Sequence, residues 1–379
     1  MDEQSCRACA GQVGDLVLDL GEQPACDYFP CCDVAGPDPA YPLQMWLCSR
    51  CGLAQLVGDP TGPEEPRGTE PAALVSQAAD AVEKVMAAGL LPRDGRATEY
   101  GSPHGGSWLG LLKGCGIATA AASEPADVII DCFGMMHAAD QASALAQRAG
   151  RLASGGVLLL QYHSLDTIIR CGQWNALRHG HYAYYSTTAM AAMLAANEFS
   201  PFAAWEFDLY GGTVLLAAGR DTDVPAEPDD TLRSLLARDA AAGVRDADVL
   251  TGLQTRARLH AKGLREWLVA ERSAGRAIVG YGAASRAVAL LRLSGADRTL
   301  LPAVIDASPA KAGLRMPGTD IPIASPAELA IRQPDAVLLF VADLREEVRA
   351  AFPDVEAAGG QWIDADSLGS FPGRGSGGL

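Results

Sequence analysis

Residues 126–163 read ADVIIDCFGMMHAADQASALAQRAGRLASGGVLLLQYH. Two apolar runs, ADVIID (126–131) and GGVLLLQYH (155–163), flank a helical pattern, ADQASALAQRAGRLA (139–153). Continuous apolar strands separated by a helix are typical of a β-α-β unit with parallel, buried strands. The stretch therefore predicts an α/β fold, in which a ligand would lie above the strand ends, near residues 133–137 and 161–163.

A glycine-rich turn precedes this unit. Residues 97–112, ATEYGSPHGGSWLGLL, read as a short strand, a turn and an apolar run, with Glu99, Gly101 and Gly105 at the turn. Glycine lets the backbone approach a ligand closely, and adenine-nucleotide and S-adenosylmethionine sites in α/β sheets are built this way. The alternative is a glycine-rich loop without a cofactor. The preceding run ALVSQAADAVEKVMAAGLL (73–91) has helical periodicity.

An aromatic and polar stretch follows the β-α-β unit. Residues 173–187, QWNALRHGHYAYYST, combine aromatic, amide and imidazole side chains. Such a mixture suits a polyhydroxylated ligand, which needs stacking and directional hydrogen bonds. The alternative is an aromatic core strand with polar edges.

Histidines concentrate in the same segment. Five of the six histidines lie there: His104, His137, His163, His179 and His181. Histidine is the side chain most easily poised as an acid or base near neutral pH, so the group favours a catalytic site in the middle of the chain. For any single member, a hydrogen-bonded, partly buried imidazole is the alternative.

Cysteines concentrate at the other end, where seven of the ten fall in the first 51 residues. Cys6 and Cys9 form one C-x2-C pair, and Cys48 and Cys51 form a second. Two such pairs make a tetrahedral site of four thiolates that suits zinc, and a site without an open position is structural. The alternative is a set of unrelated buried or redox-active thiols.

Three further cysteines, Cys26, Cys31 and Cys32, lie between the two pairs. They are expected to include free thiols, unless their loop folds inward and one of them replaces a ligand. The surrounding segments DLVLDLGEQP and YPLQMWLC read as short strands broken by glycine and proline.

A second strand-turn-helix pattern lies near the end of the chain. RAIVGYGAASRAVALL (276–291) has Gly280 and Gly282 at the turn, and the next predicted strand ends in Asp306. This resembles half of a dinucleotide fingerprint, but Ser285 stands at the third glycine position. A domain that shapes a substrate pocket is therefore favoured over one that binds NAD. The final residues SFPGRGSGGL are expected to be disordered.

Length and composition complete the outline. A chain of 379 residues is too long for one core, and its Pro-rich breaks divide it into residues 1–69, 70–220 and 221–379. A net charge of −16 argues against nucleic acid and anionic membranes as partners. No apolar stretch is long enough to cross a bilayer and MDEQSCRACA lacks a signal pattern, so a cytoplasmic protein is expected.

Several longer strings resemble one family. They are LGEQPACDYFP (20–30), YPLQMWLCSRCGLAQL (41–56), the turn at Glu99 to Gly105, HGHYAYYST (179–187), LYGGT (209–213), and GYGAAS with VIDASPAKAGLRMPGTDIPI (280–285 and 304–323). Across nearly its whole length the chain is similar to the three-domain sugar C-methyltransferases of deoxysugar biosynthesis, which act on nucleotide-linked 4-keto sugars. The last string is the most specific.

The resemblance implies an architecture and a reaction. It implies an N-terminal zinc-binding module, a central Rossmann-like methyltransferase domain and a C-terminal Rossmann-like α/β domain. The enzyme would bind S-adenosylmethionine in the central domain and a nucleotide sugar between that domain and the last one. A base would remove the proton beside the ketone, and the enolate would take the methyl group.

The resemblance also implies roles for particular residues. The family's Tyr-His-Glu-His motif falls within residues 177–181, which assigns the base to His181 and a supporting role to His179. The implied cofactor-binding residues are Glu99, Gly101, Gly105 and His137. The implied substrate-binding residues are Trp174, Asn175, Arg178, Tyr184, Tyr281 and Arg286.

The chain departs from the family at three places. Gly180 replaces the motif's glutamate, and the tyrosine-rich stretch before the first helix reads EEPRGTEPAALVSQ. After the glycine turn, CGIATAAASEPADVII (115–130) offers only Glu124 as an acid for the cofactor ribose. These departures favour an alternative function: a repurposed or non-catalytic homologue that binds a sugar nucleotide without methyl transfer.

Overall fold

The computed structural model describes residues 4–34, 36–61, 71–102 and 105–369. Three β-sheets organise them, and each lies almost entirely within one of the three predicted segments. The partition at residues 69 and 220 itself stays a prediction. The expected disorder of residues 370–379 falls outside the described residues.

The first sheet is antiparallel and confirms the two strands predicted near the cysteine pairs. Its strand order is β1-β2-β3-β8. The strands are β1 (Gly14–Pro24), β2 (Ala40–Cys48), β3 (Ala54–Leu56) and β8 (Ala183–Tyr184). Strand β8 belongs to the aromatic stretch of the middle segment, so this sheet joins two parts of the chain that are distant in sequence.

The second sheet has six strands in the order β5-β4-β6-β7-β10-β9. The strands are β4 (Arg96–Gly101), β5 (Ala118–Thr119), β6 (Ala126–Cys132), β7 (Leu152–His163), β9 (Phe199–Phe207) and β10 (Thr213–Arg220). Strands β5, β4, β6 and β7 are parallel, whereas β10 runs antiparallel to both of its neighbours. The predicted β-α-β unit is confirmed as β6, a helix and β7.

Five helices accompany this sheet. They are α1 (Ala72–Ala87), α2 (Leu109–Gly114), α3 (Gln141–Arg151), α4 (Leu165–Cys171) and α5 (Thr187–Ala195). Helix α3 begins after Asp140, whose carboxylate accepts a hydrogen bond from the Ser143 N–H at 2.9 Å and caps the helix. Helix α1 confirms the helical periodicity of residues 73–91 and buries Leu74, Val82 and Val85.

The third sheet is wholly parallel, with strand order β13-β12-β11-β14-β15. Its strands are β11 (Ile278–Tyr281), β12 (Val304–Ile305), β13 (Ile323–Ala324), β14 (Ala336–Leu339) and β15 (Gln361–Asp364). The helices of this segment are α6 (Asp230–Ala242), α7 (Ala247–Ser273), α8 (Ser285–Ser294), α9 (Ala327–Arg332), α10 (Arg345–Ala351) and α11 (Asp354–Ala357). The strand-turn-helix prediction at residues 276–291 is confirmed by β11 and α8.

One apolar cluster ties the N-terminal sheet to the C-terminal helices. Leu18 and Leu43 of the first sheet pack in the same core as Leu264 of α7 and Leu290 of α8, and all four side chains are buried. Burial of aliphatic side chains is the main source of stability for such an interface. Among the described residues, no helix is long and apolar enough to cross a membrane.

Candidate functional site

The four predicted zinc ligands converge. The Sγ atoms of Cys6, Cys9, Cys48 and Cys51 all lie within 4.8 Å of one another. Each pair sits on a tight turn, closed by hydrogen bonds from the Ala10 N–H to Cys6 O and from the Gly52 N–H to Cys48 O. Four thiolates at this separation form a closed tetrahedral set, so this is a structural zinc site.

The remaining N-terminal cysteines lie outside this cluster. The thiol of Cys26 is buried 3.6 Å from the carbonyl oxygen of His179, whereas Cys31 and Cys32 are exposed. Cys32 contacts the carbonyl oxygen of Leu314 in the third segment, at 3.2 Å. Within the described residues, therefore, none of the three replaces a zinc ligand.

The glycine turn lies at the carboxyl end of β4. Both carboxylate oxygens of Glu99 hold the turn onto α2, accepting hydrogen bonds from Ser107 Oγ at 2.6 Å and from the Trp108 N–H at 2.7 Å. Gly105 has a φ of +98°, which favours glycine. Among the described residues, no atom lies within 4 Å of the position that a side chain at Gly101 would take. His104 lies outside the described residues.

The strand beside this turn brings no carboxylate to it. Strand β5 is two residues long, both exposed, and the chain then returns directly to the start of β6. Glu124 pairs with Arg96 at 2.7 Å, at the amino end of β4 and therefore at the opposite edge of the sheet from the glycine turn. Glu124 cannot hold the ribose of a cofactor bound at Gly101.

The loop after β6 packs directly on the glycine turn. Phe133 forms a β-bridge with Gly101, and a side chain at Gly134 would lie 2.5 Å from the carbonyl oxygen of Tyr100. Phe133 is one of the few non-glycine residues with positive φ, at +58°. A 3₁₀ turn then places His137 at the same edge of the sheet.

His137 and His181 form a pair of imidazoles whose ring centroids are 4.6 Å apart. His137 Nδ1 lies 3.0 Å from the carbonyl oxygen of Gly180. A carbonyl only accepts, so Nδ1 carries the proton and Nε2 is the basic nitrogen of this ring. His181 Nδ1 lies 3.3 Å from Arg178 Nη2, and a guanidinium only donates, so the proton of His181 is on Nε2.

His179 faces away from this pair and into the zinc-bearing module. Its Nε2 lies 3.3 Å from the carbonyl oxygen of Pro42, to which it donates, and its ring meets the edge of Tyr41. Only 2% of the residue is exposed. Burial lowers the pKa of His179, so the imidazole is neutral at pH 7. The structure thus separates the two histidines that the sequence grouped together.

Three of the predicted substrate-binding residues are buried. Trp174 is 1% exposed, and its indole N–H donates to Nδ1 of His260 on α7 at 3.2 Å. Tyr184 is 2% exposed, and its hydroxyl accepts the Arg178 N–H at 3.0 Å. Asn175 is buried as well. Trp174 and Tyr184 pack in the core, as the alternative for this stretch expected, and are not carried into the function proposed below.

Arg178, in the aromatic stretch that follows α4, lies beside the start of α8, which carries Arg286. Arg178 Nη1 donates to Ser285 Oγ at 2.5 Å, and Arg286 pairs with Asp343 at 2.8 Å. The Arg286 guanidinium also lies over the ring of Tyr210, 5.8 Å from its centroid. The two predicted arginines therefore share one interface between the central and last segments.

Tyr281 is placed differently. Its ring packs against Phe352 and Trp362 in the core of the third sheet, and burial raises the pKa of its hydroxyl to about 12. It does not join Arg286 in the interface.

The glycine turn after β11 is filled by the protein's own atoms. A side chain at Gly282 would lie 2.8 Å from Val341, and one at Gly280 would lie 2.8 Å from Phe340. The Asp306 carboxylate accepts the Ala283 N–H at 2.7 Å, so it holds the turn itself. Close packing therefore accounts for both glycines, and the glycine pattern no longer favours NAD binding at this turn.

Sequence reasoning missed Gln173, Tyr210 and Asp343, which complete the interface. Gln173 Nε2 donates to the carbonyl oxygen of Tyr210 at 3.2 Å, and the Tyr210 ring lies 5.8 Å from that of Phe133. Tyr210 has a φ of +56°, a strained conformation of the kind that clusters at binding sites. The only sequence signal was the pair of glycines that follows it in LYGGT.

His163, at the end of β7, faces this interface. Its imidazole lies beside the Gln173 side chain, and its Nε2 atom is buried with no hydrogen bond of good geometry to the described residues. Burial, together with the positive charge of Arg286, lowers the pKa of His163 to about 4. The imidazole is therefore a neutral polar group at the floor of the interface.

The lowered pKa of His163 predicts a loss of stability in acid. An unfolded histidine has a pKa of about 6.5, so the unfolded chain gains a proton at a higher pH than the folded one. The contribution is fully present above about pH 6.5 and is lost as the pH falls towards about 4. Urea unfolding at both ends of this range should show a smaller pH dependence in His163→Gln than in the wild type. Equal dependence in the two proteins would contradict the placement of His163.

Comparison with known families locates two parts of the chain. Residues 208–365 match the family described as the C-methyltransferase C-terminal domain, and residues 6–61 match a family described as a zinc-binding domain. The second match contains all four cysteines of the zinc site.

Individual relatives are more distant. The chain is 24% identical over 239 residues to "C-methyltransferase NovU" of Streptomyces niveus; the match covers 61% of this chain and 54%, about half, of that protein. Two solved structures of magnesium protoporphyrin IX methyltransferase from Synechocystis PCC 6803, with bound SAH and SAM, have TM-scores of 0.28 and 0.26. Each is 14% identical and covers 38% of this chain; the chain spans 82% and 78% of theirs.

The two family matches lie at the two ends of the chain, on the segments that hold the first and third sheets. Together with the four-thiolate site, they show a chain that carries a zinc-binding domain at residues 6–61 and a C-methyltransferase C-terminal domain at residues 208–365.

Proposed function

We propose that this protein transfers a methyl group from S-adenosylmethionine to a carbon atom beside the ketone of a nucleotide-linked sugar. The observation that carries the proposal is the position of the His137 and His181 pair. His137 follows the loop that packs on the glycine turn, at the carboxyl edge of the sheet where ligands of α/β folds bind. The proton acceptor and the binding site for the methyl donor would thus lie at the same edge of the sheet.

The hydrogen bonds of the pair support different roles for the two histidines. Nε2 of His137 is the basic nitrogen, which suits it to accept the proton removed from carbon. Nε2 of His181 carries a proton, which suits it to donate a hydrogen bond to the oxygen on which negative charge develops. The resemblance assigned the base to His181; the donors and acceptors around the rings support His137 for that role.

The glycine turn is the part of the chain that fits the cofactor. The space that the described residues leave above Gly101, and the positive φ of Gly105, would let the methionine end of S-adenosylmethionine approach the backbone there. When bound, the cofactor supplies a methyl group on a sulfonium. Glu99 would keep the turn in place through its two hydrogen bonds.

The interface between the central and last segments supports a nucleotide sugar as the methyl acceptor. It combines two arginines with the neutral imidazole of His163, the Gln173 amide and the Tyr210 ring. Arg286 pairs with Asp343 and also lies near Asp366, whereas Arg178 donates to the Ser285 hydroxyl and has no ion pair to a carboxylate among the described residues. Cationic groups bind phosphates and the polar groups bind sugar hydroxyls, which is what a nucleotide sugar requires.

A cytoplasmic location is part of the proposal. None of the ten cysteines forms a disulfide, and Cys31, Cys32, Cys115 and Cys171 are exposed as thiols. Exposed thiols are typical of a reducing compartment.

Calorimetric titration with S-adenosylmethionine and S-adenosylhomocysteine tests the proposal directly. We expect binding of both to the zinc-loaded protein, and loss of binding in Gly101→Val, whose side chain would fill this space. Gly110→Val is the matched control, because Gly110 on α2 likewise has no described atom within 4 Å of its Cβ position. Absence of binding by the wild type would refute the methyltransferase.

A second candidate is favoured by one observation. Because β5 is short and Glu124 lies at the wrong edge, no described residue on that strand holds the cofactor ribose. A homologue repurposed to bind a sugar nucleotide without methyl transfer would keep the arginine interface and lose the cofactor seat. Binding of a nucleoside diphosphate sugar without binding of S-adenosylmethionine would favour this candidate.

The two histidines should differ in their effect on turnover. We expect His137→Gln to lower kcat by about 10²- to 10⁴-fold, the usual contribution of a general base, with cofactor affinity retained. His181→Gln keeps a side-chain N–H donor and should therefore lose less activity. Steady-state kinetics of the two variants check the assignment, and a larger loss in His181→Gln would return the base role to His181.

A further inference from the structure

The zinc-bearing module reaches the histidine pair through the residues that follow β3. The chain leaves β3 at Leu56, and the Val57 N–H donates to the carbonyl oxygen of Gln44 at 2.9 Å. Two residues later, Asp59 lies beside Gly180, between the two histidines of the motif. The first sheet thus presents a carboxylate to the turn that carries His181.

The Asp59 carboxylate is held in one orientation. Its Oδ1 accepts hydrogen bonds from the Thr61 N–H at 2.9 Å and from Thr61 Oγ1 at 2.6 Å. Its Oδ2 accepts the Gly180 N–H at 2.6 Å. Because Thr61 occupies one oxygen, the other is fixed on Gly180.

Gly180 in turn fixes His137. It has a φ of +79°, which glycine adopts without strain, and its carbonyl oxygen accepts the proton of His137 Nδ1 at 3.0 Å. A side chain here would point towards Asp27 Oδ2, at 3.9 Å. The left-handed conformation at Gly180 therefore aims one hydrogen bond at Asp59 and the other at His137.

Arg7 holds the other side of the pair. It lies between the zinc ligands Cys6 and Cys9, and its Nη1 donates to the carbonyl oxygen of Ala139 at 2.9 Å. Its own carbonyl oxygen accepts the Ala142 N–H at 3.2 Å. These contacts hold residues 139–142, directly after His137, and the Tyr182 N–H donates to the carbonyl oxygen of Met136 at 2.7 Å, directly before it. The Gly180 carbonyl is the contact that acts on the His137 ring itself.

We propose that Asp59 is a positioning residue for His137: by holding Gly180, it fixes the imidazole with its proton on Nδ1 and its lone pair on Nε2. The tautomer is the direct consequence, and its value for catalysis rests on the function proposed above. Without Asp59, the turn loses the hydrogen bond that fixes its conformation. His137 would then lose a correctly aimed acceptor and exchange between its two tautomers.

Asparagine cannot replace this aspartate. A carboxamide has one acceptor oxygen, whereas Asp59 uses both of its oxygens, one for Thr61 and one for Gly180. In Asp59→Asn the amide oxygen is expected to stay with the two donors of Thr61, so the NH₂ faces the Gly180 N–H and that contact is lost. Asp59→Ala removes both contacts. The two variants should therefore affect His137 in the same direction and to different extents.

Nitrogen-15 NMR of labelled, zinc-loaded protein tests the proposal without any substrate. The imidazole signals of His137, assigned through their loss in His137→Gln, should show the Nδ1–H tautomer in the wild type. In Asp59→Ala they should move towards those of an exchanging imidazole. Asp19→Ala is the matched control, because Asp19 also accepts a glycine N–H, that of Gly21 at 2.8 Å, in the same sheet. Its His137 signals should equal those of the wild type.

Each outcome of this experiment is decisive. A wild-type His137 without the Nδ1–H tautomer, or unchanged signals in Asp59→Ala, would overturn the inference. If Asp59→Ala loses zinc or unfolds, Asp59→Asn serves in its place, and unchanged signals there overturn it equally. In the turnover assay, kcat of Asp59→Ala should fall by an amount on the order of 10²-fold with little change in KM, because misplacement of a catalytic group acts on the reacting state.

The proposed function and the positioning role fail separately. If the wild type transfers no methyl group, yet the His137 signals respond to Asp59→Ala and not to Asp19→Ala, the methyltransferase fails and the positioning role stands. If the wild type is active and the signals do not respond, the positioning role fails alone.

Discussion

Removal of zinc is expected to unfold the first sheet and to abolish activity. Structural zinc sites contribute apparent binding energies on the order of 10 kcal/mol, comparable to the whole stability of a domain. Both cysteine pairs flank strands of this sheet, since Cys6 and Cys9 precede β1, Cys48 ends β2 and Cys51 precedes β3. We expect Cys48→Ser to lose zinc and to lower the midpoint of thermal unfolding sharply, as measured by calorimetry and metal analysis.

The exposed cysteines provide the control. Cys31→Ser and Cys32→Ser lie in the same segment and remove a thiol without touching the metal. Both variants should keep one zinc ion per chain and the stability of the wild type. A zinc content in Cys48→Ser equal to that of Cys32→Ser would show that the four-thiolate assignment is wrong.

Arg148→Met is expected to destabilise the fold by about 3–5 kcal/mol, the usual result of leaving a buried charge without its partner. Asp131 is 2% exposed and lies in β6, where Arg148 Nε donates to its Oδ2 at 2.6 Å. Its Oδ1 accepts the Met135 N–H at 2.9 Å, in the loop that leads to His137. Urea unfolding should show the loss of stability, and His137 should become less well placed.

An exposed ion pair in the same sheet is the matched comparison. Arg96 and Glu124 also bridge neighbouring parts of the sheet, but both side chains are about half exposed. Arg96→Met should therefore cost less than about 1 kcal/mol. The double variant Asp131→Asn/Arg148→Met should recover part of the loss, because it removes the unpaired charge. Equal losses in Arg148→Met and Arg96→Met would contradict the account of the buried pair.

The sequence predicts best where one spacing rule determines one geometry. Two C-x2-C pairs can converge on a metal with few alternatives, and the four cysteines do converge. The β-α-β unit is equally local, because continuous apolar strands on either side of a helix leave little choice of pairing. Both features depend on residues close together in the chain or on a chemistry that brings them together.

The positions of the side chains in the aromatic stretch could not be predicted from the sequence. Trp174 and Tyr184 each combine an apolar ring with one polar group. Such residues occur both in the walls of pockets and in cores where the polar group is hydrogen-bonded, so the residue type alone does not distinguish the two. Their burial follows from contacts with α7 and with the Arg178 backbone, which no local pattern encodes. His179 and His181 are likewise two residues apart, and only the tertiary fold sends one to Pro42 and the other to His137.

The strand order of the first sheet has a consequence for biosynthesis. Strand β3 emerges from the ribosome early, whereas β8, which covers its free edge, is made only after most of the second sheet. Until then β3 exposes unpaired backbone groups, a template for association with other chains. An N-terminal fragment ending before residue 183 should therefore aggregate even when supplied with zinc, and extending it past β8 alone should not suffice without the second sheet that holds that strand in place.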